Sequence, residues 1–206
     1  MRTGTLVLLV VVAAGVYAFD QISKALVVEN LTEFERIPVL GDLLAFQFVR
    51  NSGAAFSLAS GSTWIFTVIA SAVTVFIVIF ARRIRSTGWA VLFGLLLGGT
   101  VGNLTDRYFR EPGFPSGHVI DFLQIPLLPA IFNIADVAIV SSMAVFLVLT
   151  LRGIGLDGTR EVRGGTADPA AVHPEAVEPA ADASQARPDA PSIAPPPAST
   201  TDPDRT

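Results

Sequence analysis

The sequence predicts an all-α membrane protein of four transmembrane helices, followed by a disordered C-terminal tail. Three observations carry this. The 206 residues are 51% hydrophobic and their apolar residues come in runs, whereas a soluble domain disperses them. Four of the runs are long enough to cross a bilayer, which takes about 20 residues. The polar residues that interrupt or border the runs gather at one end of the spans: Asp20, Lys24, Asn51, Asn103, Asp106, Arg107, Asp121, Asn133 and Asp136.

The first span runs from about Gly4 to Val28 and is uninterrupted from Leu6 to Phe19. A secretory signal peptide is the alternative reading of its start. Against it, Val16-Tyr17-Ala18 is a poor cleavage signal, the apolar run continues past Asp20, and three further spans follow. Residues 29–61 are mostly polar, but Leu43 to Val49 is apolar and aromatic with partial alternation, which predicts a strand. It ends in Arg50-Asn51-Ser52-Gly53, which is turn chemistry. The second span is about Thr63 to Phe80 and stops at Ala81-Arg82-Arg83-Ile84-Arg85. The third is about Trp89 to Leu104. It carries Gly94, Gly98 and Gly102 at i, i+4 spacing, with Gly99 beside them, a smooth face for close helix packing. The fourth is about Phe132 to Leu151, closed by Arg152-Gly153. Residues 1–153 thus form the membrane domain. Residues 154–206, rich in Pro, Ala, Asp, Ser and Thr and without aromatics, form the tail, which buries too little apolar surface to repay its ordering entropy.

With four spans, Arg2, the Arg82/Arg83/Arg85 cluster and Arg152/Arg160/Arg163 fall on one side. The positive-inside rule makes that side cytoplasmic, along with both termini and the tail. The connections 29–61 and 105–131, which hold or adjoin the polar cluster, are then outside. The net charge of −4 owes much to the tail, and the absence of a basic stripe argues against nucleic acid as a partner. There is no cysteine, which excludes disulfides, thiol catalysis and Cys-ligated metal. His118 and His173 are too far apart in sequence to suggest a metal site.

Polar groups at membrane depth are costly and need a reason. Asp20 and Lys24, at i, i+4, share a helix face, and a salt bridge with Lys24 snorkelling to the interface is the simplest account. Asn103, Asp106 and Arg107 lie on one face if the third helix runs one turn past its apolar part, and Arg107 is expected to anchor Asp106. Asp121 stands alone between apolar residues. Asp136, three residues after Asn133, is open to two readings, a cap at a helix N-terminus or a functional acid. Two close carboxylates in low dielectric share a proton. One then takes a proton from water while the other polarises a carbonyl and supplies the leaving amine. No metal or cofactor is needed. Ser116 and His118 offer no Ser-His-Asp logic. A proton relay or transporter, and a scaffold glued by interhelical polar contacts, are the rival classes. The relay requires a polar path across the bilayer, yet the inner halves of the spans are almost free of ionisable groups.

Five blocks resemble the lipoprotein signal peptidases (signal peptidase II), in that family's order. They are Asp20-Gln21-Ile22-Ser23-Lys24, VRNSGAAFS (Val49 to Ser57), GGTVGNLTDR (Gly98 to Arg107), Val119-Ile120-Asp121-Phe122 and Phe132-Asn133-Ile134-Ala135-Asp136. The resemblance spans roughly Leu6 to Leu151. It implies an aspartic endopeptidase of the bacterial inner membrane, without cofactor or metal. Such an enzyme cuts diacylglyceryl-modified prolipoproteins before the lipidated cysteine, near the outer face. Asp121 and Asp136 would be the catalytic dyad. Asp20, Lys24, Asn51, Asn103, Asp106, Arg107 and Asn133 would orient the dyad or bind the substrate. Residues 29–61 would form a small extracytoplasmic β-cradle. A monomer is expected, because the glycine face can be used within the bundle. Two departures are mild. Gly99-Thr100 replaces alanine or another small residue, and Pro126 to Ala130 lacks a tryptophan often found there.

Overall fold

In hydrocarbon a backbone must satisfy its own N–H and C=O groups, so long apolar runs become helices. The computed structural model describes residues 3–53, 63–128 and 130–160. Among them are helices α1 (Thr3–Asn30), α2 (Thr63–Phe80), α3 (Thr87–Phe109) and α4 (Ile134–Leu151). All four are long and apolar enough to cross a membrane. Many large apolar side chains on their outer faces are exposed, among them Val11, Phe19, Phe76, Ile79, Met143 and Leu147. Such a surface suits lipid and would promote association in water.

The helix boundaries differ from the expected ones where polar residues find partners. α3 continues five residues past Leu104, through Asp106 and Arg107 to Phe109. α4 starts two residues after Phe132, because Ile131–Phe132 joins a sheet and Asn133 becomes the N-cap.

The sheet has four antiparallel strands in the order β1-β2-β3-β4: β1 (Arg36–Pro38), β2 (Ala45–Asn51), β3 (Val119–Gln124) and β4 (Ile131–Phe132). The strand expected over Leu43 to Val49 lies two residues later and includes Asn51, which the sequence places in a turn. The cradle expected from residues 29–61 takes half its strands from the later connection, since β3 and β4 both lie there. Residues 54–61 of the first connection lie outside the described residues. Phe48, Ile120 and Phe122 cover the end of α1 at Val27, which fixes the sheet to the bundle.

α3 is the central helix. Its glycines allow backbone approach on two sides. A Cβ on Gly98 would stand 2.6 Å from the Ala13 carbonyl of α1, and one on Gly99 would stand 2.5 Å from the Ala135 carbonyl of α4. α2 packs mainly on α3, so a groove remains between α2 and α4. At the far end from the sheet, Leu9, Ala81, Ile84 and Ala90 form a second apolar cluster. Residues beyond α4 close that end: the Arg85 and Ser86 amides both donate to the Leu156 carbonyl at 3.0 Å, and Trp89 Nε1 donates to the Ile154 carbonyl at 2.9 Å. The first residues assigned to the tail, 154–160, are therefore folded against the α2–α3 connection. The remainder, 161–206, lies outside the described residues.

Candidate active site

The polar residues that the sequence spreads over 117 positions, from Asp20 to Asp136, meet where the sheet joins the bundle. Lys24 is the base of the cluster. Its ammonium reaches Asp20 Oδ2 at 2.8 Å, Asp106 Oδ2 at 2.8 Å and Asn103 Oδ1 at 2.9 Å. An ammonium has three donors, and all are used, with Lys24, Asp20 and Asp106 fully buried. The i, i+4 pairing with Asp20 occurs as expected. The snorkelling does not, because two carboxylates and an amide replace the water that Lys24 would otherwise seek.

From Lys24 the network runs upward through two asparagines. Asn103 Nδ2 donates to Asp136 Oδ1 at 2.8 Å. Asn133 Nδ2 donates to Asn103 Oδ1 at 3.0 Å and to Asp121 Oδ1 at 2.6 Å. Asn51 Nδ2 donates to Asp121 Oδ2 at 2.7 Å. The register of the sheet explains that contact: Val49 is opposite Asp121 and Asn51 opposite Val119, so Asn51 and Asp121 are diagonal neighbours. Asn51 is held in turn by the Gly53 amide, which donates to its Oδ1 at 2.7 Å.

Asp136 takes the first of the two readings left open by the sequence, the cap at a helix N-terminus. It closes a capping box, with its Oδ2 accepting from the Asn133 amide at 3.2 Å and its own amide donating to Asn133 Oδ1 at 3.0 Å. Its other oxygen accepts from Asn103, and the side chain borders a cavity that Asp121 also borders. The cavity, of ≈ 330 Å³, lies in the groove between α2 and α4 and has Asn51, Asn103 and Arg107 on its polar wall and Phe66, Val73 and Ile139 among its apolar residues. Burial pushes the Asp121 carboxyl up to about 6; the Asn51 and Asn133 amides oppose the shift, and nearby Asp136 adds to it. Two carboxylates thus border one cavity, each held by side-chain amide donors.

A family model described as Signal peptidase (SPase) II matches residues 12–152. The chain belongs to this family. It is 64% identical over 179 residues to the lipoprotein signal peptidase of Leifsonia xyli subsp. xyli, covering 87% of this chain and 82% of the relative. It is 45% identical over 154 residues to the one from Rhodococcus jostii, covering 75% and 77%. A bacterial membrane enzyme solved by the in meso method at 2.3 Å resolution superposes with a TM-score of 0.63 and 25% identity, covering 79% of this chain and 96% of that one.

In this signal peptidase II family member, one expected contact is replaced. Arg107 does not anchor Asp106. Residues adjacent on a helix diverge by about 100°, so they do not face one another. Asp106 instead accepts from Arg110 Nε at 2.6 Å, from Lys24, and from the Ile120 amide at 3.3 Å. Arg107 turns to the cavity, its guanidinium 5.6 Å from the Phe66 ring centre. The spacing of Asp106 and Arg110, i and i+4, was the available signal for the true partner. Gln21 was also missed. Its Nε2 donates to Asp20 Oδ2 at 3.0 Å and to the Gly102 carbonyl at 3.1 Å, and no spacing rule points to either acceptor.

Proposed function

We propose that the chain is an aspartic endopeptidase that removes signal peptides from diacylglyceryl-modified prolipoproteins, cutting before the lipidated cysteine. Lipoprotein signal peptidase activity follows from the family; the dyad, the cleavage position and the roles below are this reading's own. It rests chiefly on one observation: Asp121 and Asp136 border the same cavity and are joined through Asn133 and Asn103.

With one proton between them, the ionised carboxylate takes a proton from a water molecule as its oxygen bonds to the scissile carbonyl carbon. The protonated partner hydrogen-bonds the carbonyl oxygen, which gathers charge. The tetrahedral carbon then expels the amine, the C–N bond breaks, and a carboxyl proton passes to the leaving nitrogen. Asn51, Asn103 and Asn133 keep the carboxylates oriented. Lys24, with Asp20 and Asp106, holds Asn103 from beneath. Arg107 offers the cavity's cation to substrate carbonyls.

A groove between α2 and α4 suits a substrate that arrives laterally from lipid. Arg82, Arg83 and Arg152 follow α2 and α4 at the bundle end away from the sheet, which supports a cytoplasmic placement for that end and an outer placement for the site. The glycine faces are used within the bundle, which supports a monomer.

The test is cleavage of a diacylglyceryl-modified prolipoprotein by Asp121→Asn and Asp136→Asn variants. Each should lose at least about 10²- to 10⁴-fold in kcat, the range of a positioned acid or base, while keeping wild-type helix content. Wild-type turnover in either variant would overturn the dyad.

A further inference from the structure

Thr100 borders the cavity and takes part in neither the buried network nor the proposed dyad. α3 presents Leu96, Thr100, Asn103 and Arg107 to the cavity, the i, i+4, i+7, i+11 stripe of one helix face. Thr100 lies three residues nearer the arginine-rich end than Asn103, about 4.5 Å deeper along the axis. The residue is 7% exposed. Elsewhere Thr105 and Thr150 turn their hydroxyls back to carbonyls of their own helix, at 2.8 Å each. The Thr100 hydroxyl has no hydrogen-bond partner among the described residues. The hydrocarbon part of the cavity wall includes Ile69, Val73, Leu96 and Ile139.

A substrate held for hydrolysis between Asp121 and Asp136 must be extended at the scissile bond, while its signal sequence continues into the bilayer. The last turn of a helix leaves carbonyls without intrahelical partners. In hydrocarbon those carbonyls have no water to turn to, and each unsatisfied group is costly. With the cleavage site at the proposed dyad, the signal helix would give way to the extended segment just below it, near the depth of Thr100.

We propose that the Thr100 hydroxyl donates a hydrogen bond to a backbone carbonyl of the signal peptide, one to three residues before the scissile bond. This makes Thr100 a substrate-contacting residue that fixes where the helix ends and so which bond meets the dyad. The inference rests on the lipoprotein-processing reading of the same cavity.

The experiment compares purified wild-type enzyme with Thr100→Val and Thr100→Ser on a synthetic diacylglyceryl-modified prolipoprotein peptide. Valine keeps the shape and removes the donor; serine keeps the donor. Thr100→Val should lower kcat/KM by about tenfold, the cost of one unmade hydrogen bond to a buried acceptor, with an unchanged melting temperature. Thr100→Ser should stay within about threefold of wild type, since it keeps the hydrogen bond. Peptides with single backbone esters, which weaken one carbonyl acceptor at a time, should show one position before the cleavage site where wild type loses rate and Thr100→Val loses nothing more.

Wild-type kinetics for Thr100→Val overturn the inference, as does a loss shared by Thr100→Ser or equal ester effects in both enzymes. Its failure is distinguishable from failure of the dyad. In the first case Thr100→Val cleaves normally while both Asp→Asn variants are inactive. In the second, an Asp→Asn variant cleaves.

Discussion

Lys24 is fully buried, and its ammonium meets three acceptors, Asp20, Asp106 and Asn103. Removing one partner of a buried ion network leaves the others uncompensated, at roughly 3–5 kcal/mol. Lys24→Met should therefore lower the melting temperature in detergent sharply, and adding Asp20→Asn should recover part of the loss. A single variant that melts like wild type would mean the triad contributes nothing to stability. Asp121 gives a prediction in pH. Burial raises its carboxyl to about 6, so the folded chain keeps a proton that the unfolded chain has already lost. Stability then falls as pH rises from the ordinary carboxylate range through about 6. Thermal unfolding of Asp121→Asn across that window should be flatter than that of wild type. Single residues also mark where sequence reading stopped. Asp106 with Arg110 was legible as an i, i+4 pair and was passed over for the adjacent Arg107. The bond from Asn51 to Asp121 was not legible, because it depends on strand register.

Among the elements, α3 decides the architecture. Its glycine spacing announces close packing, but only the assembled bundle shows that Gly94 and Gly98 meet α1 while Gly99 meets α4. Alanine is a better helix former than glycine by about 1 kcal/mol, so Gly98→Ala would stabilise an isolated helix. Here its Cβ meets the Ala13 carbonyl and the Val16 side chain, and overpacking costs roughly 1–3 kcal/mol. Gly98→Ala should thus lower thermal stability, whereas Gly15→Ala, with no atom within 4 Å of the new Cβ, should be neutral or stabilising. Equal behaviour of the two variants would refute the close-approach account. The sheet was the least legible element. β1 and β4 have three and two residues, too few for an alternating pattern to register, and β3 is buried over its first four residues, with no polar face to reveal its period.

For the whole molecule, the two ends of the bundle have opposite characters. The sheet and polar cluster lie at one end, and the basic α2–α3 connection and residues 154–160 at the other. The chain has no cysteine, so single cysteines report topology without background. Asp42→Cys, on the exposed β1–β2 turn, should react in intact cells with a membrane-impermeant thiol reagent. Arg83→Cys, also exposed, should react only after the membrane is opened. Labelling in the reverse order would invert the proposed orientation.

The sequence by itself determined the four spans, the family and the identity of every polar residue in the cluster except Arg110 and Gln21. Span length, hydropathy and motif order are local properties, and they survive without knowledge of any contact. Only the tertiary structure decided who pairs with whom: Lys24 beneath Asn103, Asn133 between Asp121 and Asn103, and Arg107 toward the cavity. Those pairings depend on helix rotation and strand register, which are fixed by packing between segments 12 to 79 residues apart. No local pattern carries that information.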